Sequence, residues 1–313
     1  MKTRIGMYWL MLNLSVFNSC MELGKQKDTA VQNERNAIVP FAEMVAETPI
    51  KFEPDVVSLE DSAEFGITFT QDMKTLFFTS KRGEDEHFTI YTSSFKAGKW
   101  QTAKVASFSG SYFDADACIA PDGQQLFFFS MRPTEEKDTI PLEMPNIWYT
   151  LKKGELWETP KPVEGLLNTP TSGEGYLSMS RDNTIYFSSV GRLQNKPHDV
   201  FKSQLAGEDY SEPQYVTLDI ETNFSNPFIA PNEDYLIIDS RQPGGLGGND
   251  LYFVKHIGDN KWASPVNMGG LINTIGDEGT PSLSPDGKWF FFSRDGDIYF
   301  VSAEKAFEKV LSY

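Results

Sequence analysis

One short pattern occurs five times in this 313-residue chain: a polar turn built like Pro-Asp-Gly, a burst of aromatic and aliphatic residues, an exit carrying Arg, then an Asp or Asn leading into a second aromatic strand. It is plainest in Pro121-Asp122-Gly123 followed by Leu126-Phe127-Phe128-Phe129-Ser130-Met131-Arg132, and in Pro285-Asp286-Gly287 followed by Trp289-Phe290-Phe291-Phe292-Ser293-Arg294. The turn residues stand at Asp72, Asp122, Asp182, Asn232 and Asp286, a period of roughly 50–60 residues. Units of this size cannot bury their own apolar faces, so they must stack on one another. Four strands per unit, set radially, give an all-β fold, the β-propeller. The longest step, from Asp122 to Asp182, carries its excess in the loop from Pro133 to Pro145.

Each turn is followed by a continuous apolar run, Leu76-Phe77-Phe78, Leu126 to Phe129, Ile185-Tyr186-Phe187, Leu236-Ile237-Ile238 and Trp289 to Phe292. Such runs suit strands buried on both faces. A further strand is marked by Ile90-Tyr91, Ile147-Trp148-Tyr149, Val200-Phe201, Leu251-Tyr252 and Ile298-Tyr299, and a polar hairpin then leads to an outer strand opening at Trp100, Trp157, Tyr210 or Trp262. The fifth such opening is Phe52-Glu53-Pro54-Asp55-Val56-Val57, ahead of the first repeat and similar to Trp262-Ala263-Ser264-Pro265-Val266. This implies five four-stranded blades, with an N-terminal strand completing the last and closing the ring, which removes an exposed sheet edge. The competing count is six: Phe307-Glu308-Lys309-Val310 would be the last outer strand and Phe52 would begin a partial sixth blade.

This turn-and-strand pattern, over about residues 50 to 313, resembles the TolB-like, or PD40, branch of WD40-type propeller repeats. The segment Ser240-Arg241-Gln242-Pro243-Gly244-Gly245-Leu246-Gly247-Gly248-Asn249-Asp250 is similar to PD40 repeats of bacterial outer-envelope proteins. The resemblance implies a binding module.

At the start, Lys2 and Arg4 precede an apolar stretch from Ile5 to Phe17 that ends in Asn18-Ser19-Cys20. A positive start, a short apolar core and a small residue before the break describe an export signal, too short to span a bilayer comfortably. The Ser19-Cys20 ending resembles a bacterial lipoprotein box, which implies lipidation of Cys20; an ordinary secretory signal and a chance apolar start are the alternatives. The expected organisation is a signal over 1–19, a polar flexible tether over 20–48 and the propeller over 49–313. The protein would be exported and held in the bacterial cell envelope, periplasmic or outer-membrane, by its lipid alone.

With 44 acidic against 28 basic residues, a net charge of −16 repels phosphate backbones and disfavours nucleic-acid binding. Catalytic chemistry is sparse. His87, His198 and His256 fall at unlike points of the repeat without metal-ligand spacing. Cys118 reads as a buried small hydrophobe, and Gly244 to Gly248 as a flexible loop rather than a phosphate cradle, with neither the Lys-Ser/Thr ending nor a following helix. No metal and no cofactor is expected.

One constellation recurs with the repeat. Eight residues before each turn residue stand Glu64, Asp114, Glu174, Phe224 and Glu278, where the chain enters the innermost strand at one mouth of the central channel. The strand exits supply Arg82, Arg132, Arg192, Arg241 and Arg294. Acids and arginines either pair within blades and fix loops, or remain free to line a polar cavity for a cation, a sugar or a peptide end. In the second case Phe224 marks an asymmetric side. Two functions follow. One is a non-catalytic, lipid-anchored scaffold that binds an envelope protein or a cell-surface polysaccharide, with the Pro133 to Pro145 loop and its exposed Leu142 and Met144 beside Glu135 and Glu136 as a contact. The other is a carbohydrate-active hydrolase or lyase working through channel-mouth carboxylates.

Overall fold

The computed structural model describes residues 40–41, 44–135, 137–193, 199–258 and 260–312. Two compact units divide the chain, 1–42 and 43–313; in the first only Pro40 and Phe41, a turn, are described. The signal stretch, Cys20, most of the expected tether, Glu136 and His198 lie outside the described residues.

The second unit is a five-bladed propeller of four-stranded antiparallel blades. The inner strands are Ala63–Phe69, Asp114–Ile119, Gly173–Met179, Phe224–Ile229 and Glu278–Leu283, one for each of blades 1 to 5. They touch in sequence around the ring, the fifth returning to the first. The turns that announced the repeat join inner to second strands. In four of them an Asp side chain caps the turn: Asp122 Oδ1, for example, accepts the N–H of Gln124 at 2.8 Å. The next residue takes a left-handed backbone, at Met73, Gly123, Asn183, Glu233 and Gly287. An Asx turn followed by such a residue reverses the chain in two residues, which is why Asp or Asn heads every copy.

Packing between blades follows from the two-faced apolar strands. Phe77 and Ile90 of blade 1 meet Leu126, Phe128 and Trp148 of blade 2, and comparable clusters fill the next three seams. The fifth seam is sealed by Phe52, fully buried, with its ring 5.3 Å from that of Phe291 and 6.1 Å from that of Phe69.

The closing strand is Ile50–Lys51, paired with Phe300 and Tyr299 of blade 5. The chain therefore closes its ring as the repeat implies, but in a different register. Phe52 N donates to Ile298 O, as Met268 N does to Leu251 O, so Phe52 stands where blade 4 has Met268 and not where it has Trp262. The aromatic openings do not begin the outer strands either. Trp100, Trp157, Tyr210 and Trp262 lie in two-residue hairpin returns, and the outer strands proper come later, at Lys104–Val105, Lys161–Pro162, Gln214–Tyr215 and Val266–Asn267. Phe307 ends a short helix, Ala303–Phe307, capped by Ser302, and packs its ring on Phe290; this excludes the six-blade count.

Two loops depart from expectation. Leu142 is half-buried with its N–H on Met131 O, leaving Met144 the more exposed of that pair. Gly245, Gly247 and Gly248 serve close approach: a Cβ on Gly248 would lie 2.2 Å from Asp277 Oδ1, and Gly248 N donates to Gly276 O.

Candidate functional site

The carboxylates of the repeat ring are buried and engaged. Asp114 takes Arg132 Nη2 at 2.7 Å, Glu174 takes Arg192 Nη2 at 3.0 Å, Glu278 takes Arg294 Nε at 2.9 Å, and Glu64 faces Arg82 Nη2 at 3.5 Å. All four carboxylate side chains are fully shielded from solvent. Each guanidinium also reaches the loop arriving from the preceding outer strand, as Arg132 does at Phe108 O, 3.0 Å, and Arg294 at Ile272 O, 2.7 Å. Its face lies over two rings of its own blade, Phe128 and Trp148 for Arg132. Serine hydroxyls complete the shell: Ser80 donates to Glu64 at 3.0 Å and Ser189 to Glu174 at 3.2 Å. Burial raises the carboxyls of Glu64 and Glu174 above the ordinary range, with the hydrogen bonds and arginines opposing it. A buried acid, its arginine and the loop carbonyl thus form one clasp in each of blades 1, 2, 3 and 5, holding the entry of the inner strand to its neighbour.

Blade 4 has Phe224 in place of the acid, and its arginine behaves differently. Phe224 is buried with Leu236 and Ile238, while Arg241 is largely exposed and turns to Asp277 of blade 5 at 3.0 Å and to Asn249 Oδ1 at 3.1 Å. Without a carboxylate to receive it, the guanidinium has no electrostatic reason to enter the core.

A second ring lies two residues further along each inner strand. Every inner strand bulges there, and the bulge residue has positive φ in all five blades: Gly66, Asp116, Tyr176, Asn226 and Thr280, at 43° to 61°. A bulge re-aims its side chain, and these residues line a central cavity of about 500 Å³. The cavity extends to the turn face, where Gln71, Pro121, Arg181, Pro231 and Pro285 occupy equivalent places on its wall. Hydrogen bonds between blades fix the bulges: Asp116 N donates to Thr79 Oγ1 at 2.8 Å and Asn226 N to Ser188 Oγ at 3.2 Å.

Two carboxylates meet at this level. Asp239, on the second strand of blade 4, accepts Ser225 Oγ at 2.8 Å and Asn226 Nδ2 at 2.9 Å. Neither oxygen of Asp116 has a hydrogen-bond partner, although the residue is 6% exposed. Its carboxylate occupies space that only a glycine leaves open, since a Cβ on Gly66 would lie 1.9 Å from Asp116 Oδ1. Burial, reinforced by the Asp239 charge, pushes the Asp116 carboxyl up to about 8, and burial pushes Asp239 up to about 6 against its two donors. Burial and both carboxylates also raise the Tyr176 phenol, whose ring lies 5.3 Å from that of Phe129. Cys118 lines the same cavity, but desolvation pushes its thiol up to about 12, so it is no nucleophile at neutral pH. His256 stacks on Trp262 at 4.8 Å on the outer hairpin of blade 4.

The sequence pattern does not single out Asp116, Tyr176, Asn226, Thr280 and Asp239, because repeat logic selects what recurs, whereas the bulge residue differs in every blade and an acid stands at the Asp239 position in blade 4 alone. A signal does exist: the position six before each turn residue alternates among Gly, Asp, Tyr, Asn and Thr, and Asp239 breaks an apolar run where the other blades carry Thr79, Phe129, Ser188 and Ser293.

No protein-family model matches the chain, and no curated protein matches it. Among solved structures it is similar to the GH62 α-L-arabinofuranosidase PaAbf62A of Podospora anserina, at 9% identity and TM-score 0.50 over 82% of this chain and 98% of that one. The GH62 catalytic domain of Coprinopsis cinerea gives 8% identity and TM-score 0.50 over the same shares. TolB of Acinetobacter baumannii gives 14% identity and TM-score 0.48 over 78% of this chain and 52% of that one, so the match spans about half of the TolB chain. At these identities the likeness is one of fold. The chain is a five-bladed β-propeller of four-stranded antiparallel blades.

Proposed function

We propose that the chain is a lipid-anchored propeller of the cell envelope that binds an envelope protein or a cell-surface polysaccharide without transforming it. The observation that carries this reading is the contrast between the two rings. The repeat-related acids are spent in arginine clasps, whereas the bulge ring offers a different side chain from every blade around a central cavity of mixed polar and apolar lining. Recognition needs such asymmetry, and scaffolding does not. The lipid attachment rests on Ser19-Cys20 behind an apolar leader. No helix among the described residues is long and apolar enough to cross a membrane.

Two measurements test this. Cys20→Ala should move the protein from the membrane to the soluble fraction and remove acyl mass from its N-terminal peptide; unchanged partitioning would discard the anchor. Affinity recovery and cross-linking from envelope membranes, run beside a glycan array, should return a partner that survives incubation uncleaved.

A second reading, a glycan hydrolase or lyase, has one observation in its favour: Asp116 lines the channel and Asp239 is buried behind the Asn226 that lines it, with the two carboxyls raised to different degrees, the arrangement from which an acid and a base can be drawn. Polysaccharide cleavage that disappears in Asp116→Asn would establish it in place of the first.

A further inference from the structure

The bulge ring leaves a specific debt of hydrogen-bond donors. Both Asp116 oxygens and Asn226 Oδ1 are buried without partners, and Asp239 already has two donors. Unpaired acceptors in a buried site each cost free energy that a ligand donor would recover. Among the described lining residues Arg181 is the one cationic side chain, and it stands at the turn face, five residues along the strand from the bulge, a separation of about 16 Å at the strand rise. The floor thus has acceptors and no cation of its own.

The donor set and the walls indicate the kind of cation. Calcium and magnesium need about six or more oxygen ligands, a site for zinc needs three or more His, Cys, Asp or Glu ligands, and no cluster of three such residues able to hold a metal occurs among the described residues. Above the floor the wall includes Ile67, Leu177, Ile229 and Leu283, which would face an inorganic ion with apolar surface. A primary ammonium has three N–H donors for the unpartnered oxygens and can carry an aliphatic body to cover those walls. A cavity of about 500 Å³ is of a size that takes small organic ligands.

We propose that the floor of the channel binds a primary ammonium group entering from the turn face, with Asp116 as its counter-ion and Asn226 Oδ1, its amide held by Asp239, completing its shell. The proposal rests on the binding reading above and gives it a ligand class. The ammonium belongs either to a free aliphatic amine or to the amino end of a peptide; in the second case Arg181 stands on the entry path for the peptide's carboxyl end. Because the Asp116 carboxyl is raised and faces Asp239 and Tyr176, with Arg181 farther up the wall, a bound ammonium at neutral pH displaces the carboxyl proton. Binding therefore releases a proton.

Calorimetric titration of the full chain with butylamine, trialanine and N-acetyl-trialanine tests this near pH 7 in two buffers of different ionisation enthalpy. Butylamine or trialanine should bind with a buffer-dependent heat that reports proton release, and the acetylated peptide should bind at least tenfold more weakly than trialanine. Trialanine alone among the three assigns the source to peptide ends. Butylamine binding as well as trialanine assigns it to free amines. Asp116→Asn, nearly isosteric and checked for fold by circular dichroism, should lose at least tenfold in affinity, while Arg241→Ala should bind as the native chain does. Equal binding of the acetylated peptide, undiminished binding by Asp116→Asn, or displacement of the amine by calcium at lower concentration would overturn the proposal. Failure of all amines while a partner or glycan is still recovered would remove the ammonium site and leave the binding reading intact; failure of both would remove both.

Discussion

The arginines divide the blades into those with a buried clasp and the one without. Arg132→Ala leaves Asp114 fully buried beside Ser109 Oγ with no cation, so a loss of about 3–5 kcal/mol is expected. Arg241→Ala removes an exposed pair and should cost about 1 kcal/mol or less; urea denaturation of the two variants checks the contrast. Asp116 gives a prediction of opposite sense. Its folded carboxyl is raised to about 8, whereas an unfolded Asp titrates near ~4. Between those values the folded state holds more protons than the unfolded one, so stability is full at the acid end and falls as pH rises toward 8. Asp116→Asn should match the native chain near pH 4 and exceed it at pH 9, with a flatter urea midpoint against pH. A variant whose midpoint tracks the native chain across that range would contradict the burial argument. The same residues show what was legible beforehand. Glu64, Asp114, Glu174 and Glu278 recur at a fixed offset from a turn and could be read with their arginines as either paired or free, a choice that only the distances make. Asp116 and Asp239 recur nowhere, and their meaning depends on a bulge that the sequence does not announce.

At the scale of the strand, the apolar runs and turn residues marked the second strands closely because both are local: an Asx turn needs its Asp, and a doubly buried strand needs continuous apolar residues. The outer strands were harder. They are two residues long, too short for any periodicity, and the aromatic residues preceding them belong to hairpin returns. The segment Phe52-Glu53-Pro54-Asp55-Val56 is similar to Trp262-Ala263-Ser264-Pro265-Val266 in its aromatic opening and following proline, although main-chain pairing equates Phe52 with Met268. That register matters energetically, since Phe52 touches the rings of Phe69, Trp100, Phe291 and Phe300 across the closing seam. Phe52→Ala should therefore cost about 3–5 kcal/mol, while Ile275→Ala, at 91% exposure, should stay within about 0.5 kcal/mol. Thermal or urea unfolding of both distinguishes a seam residue from a surface one, and equal stabilities would show that the closure bears no load.

For the molecule as a whole, ring closure joins segments far apart in the chain: Ser58 and Ile298, 240 positions from each other, bond through side chain and backbone in the same seam, next to the pairing of Ile50 with Phe300. Contacts of such long separation form late, because the chain must pay loop entropy before they reward it. The first strand of the propeller in chain order is thus the last to find its place, and it waits for residues made at the other end of the domain. A chain arrested before Ile298 keeps four blades' worth of sequence but has no partner for Ile50–Lys51 and no lid for Phe52. Incomplete molecules would therefore expose the aromatic surface of the seam that Phe52 covers in the closed ring.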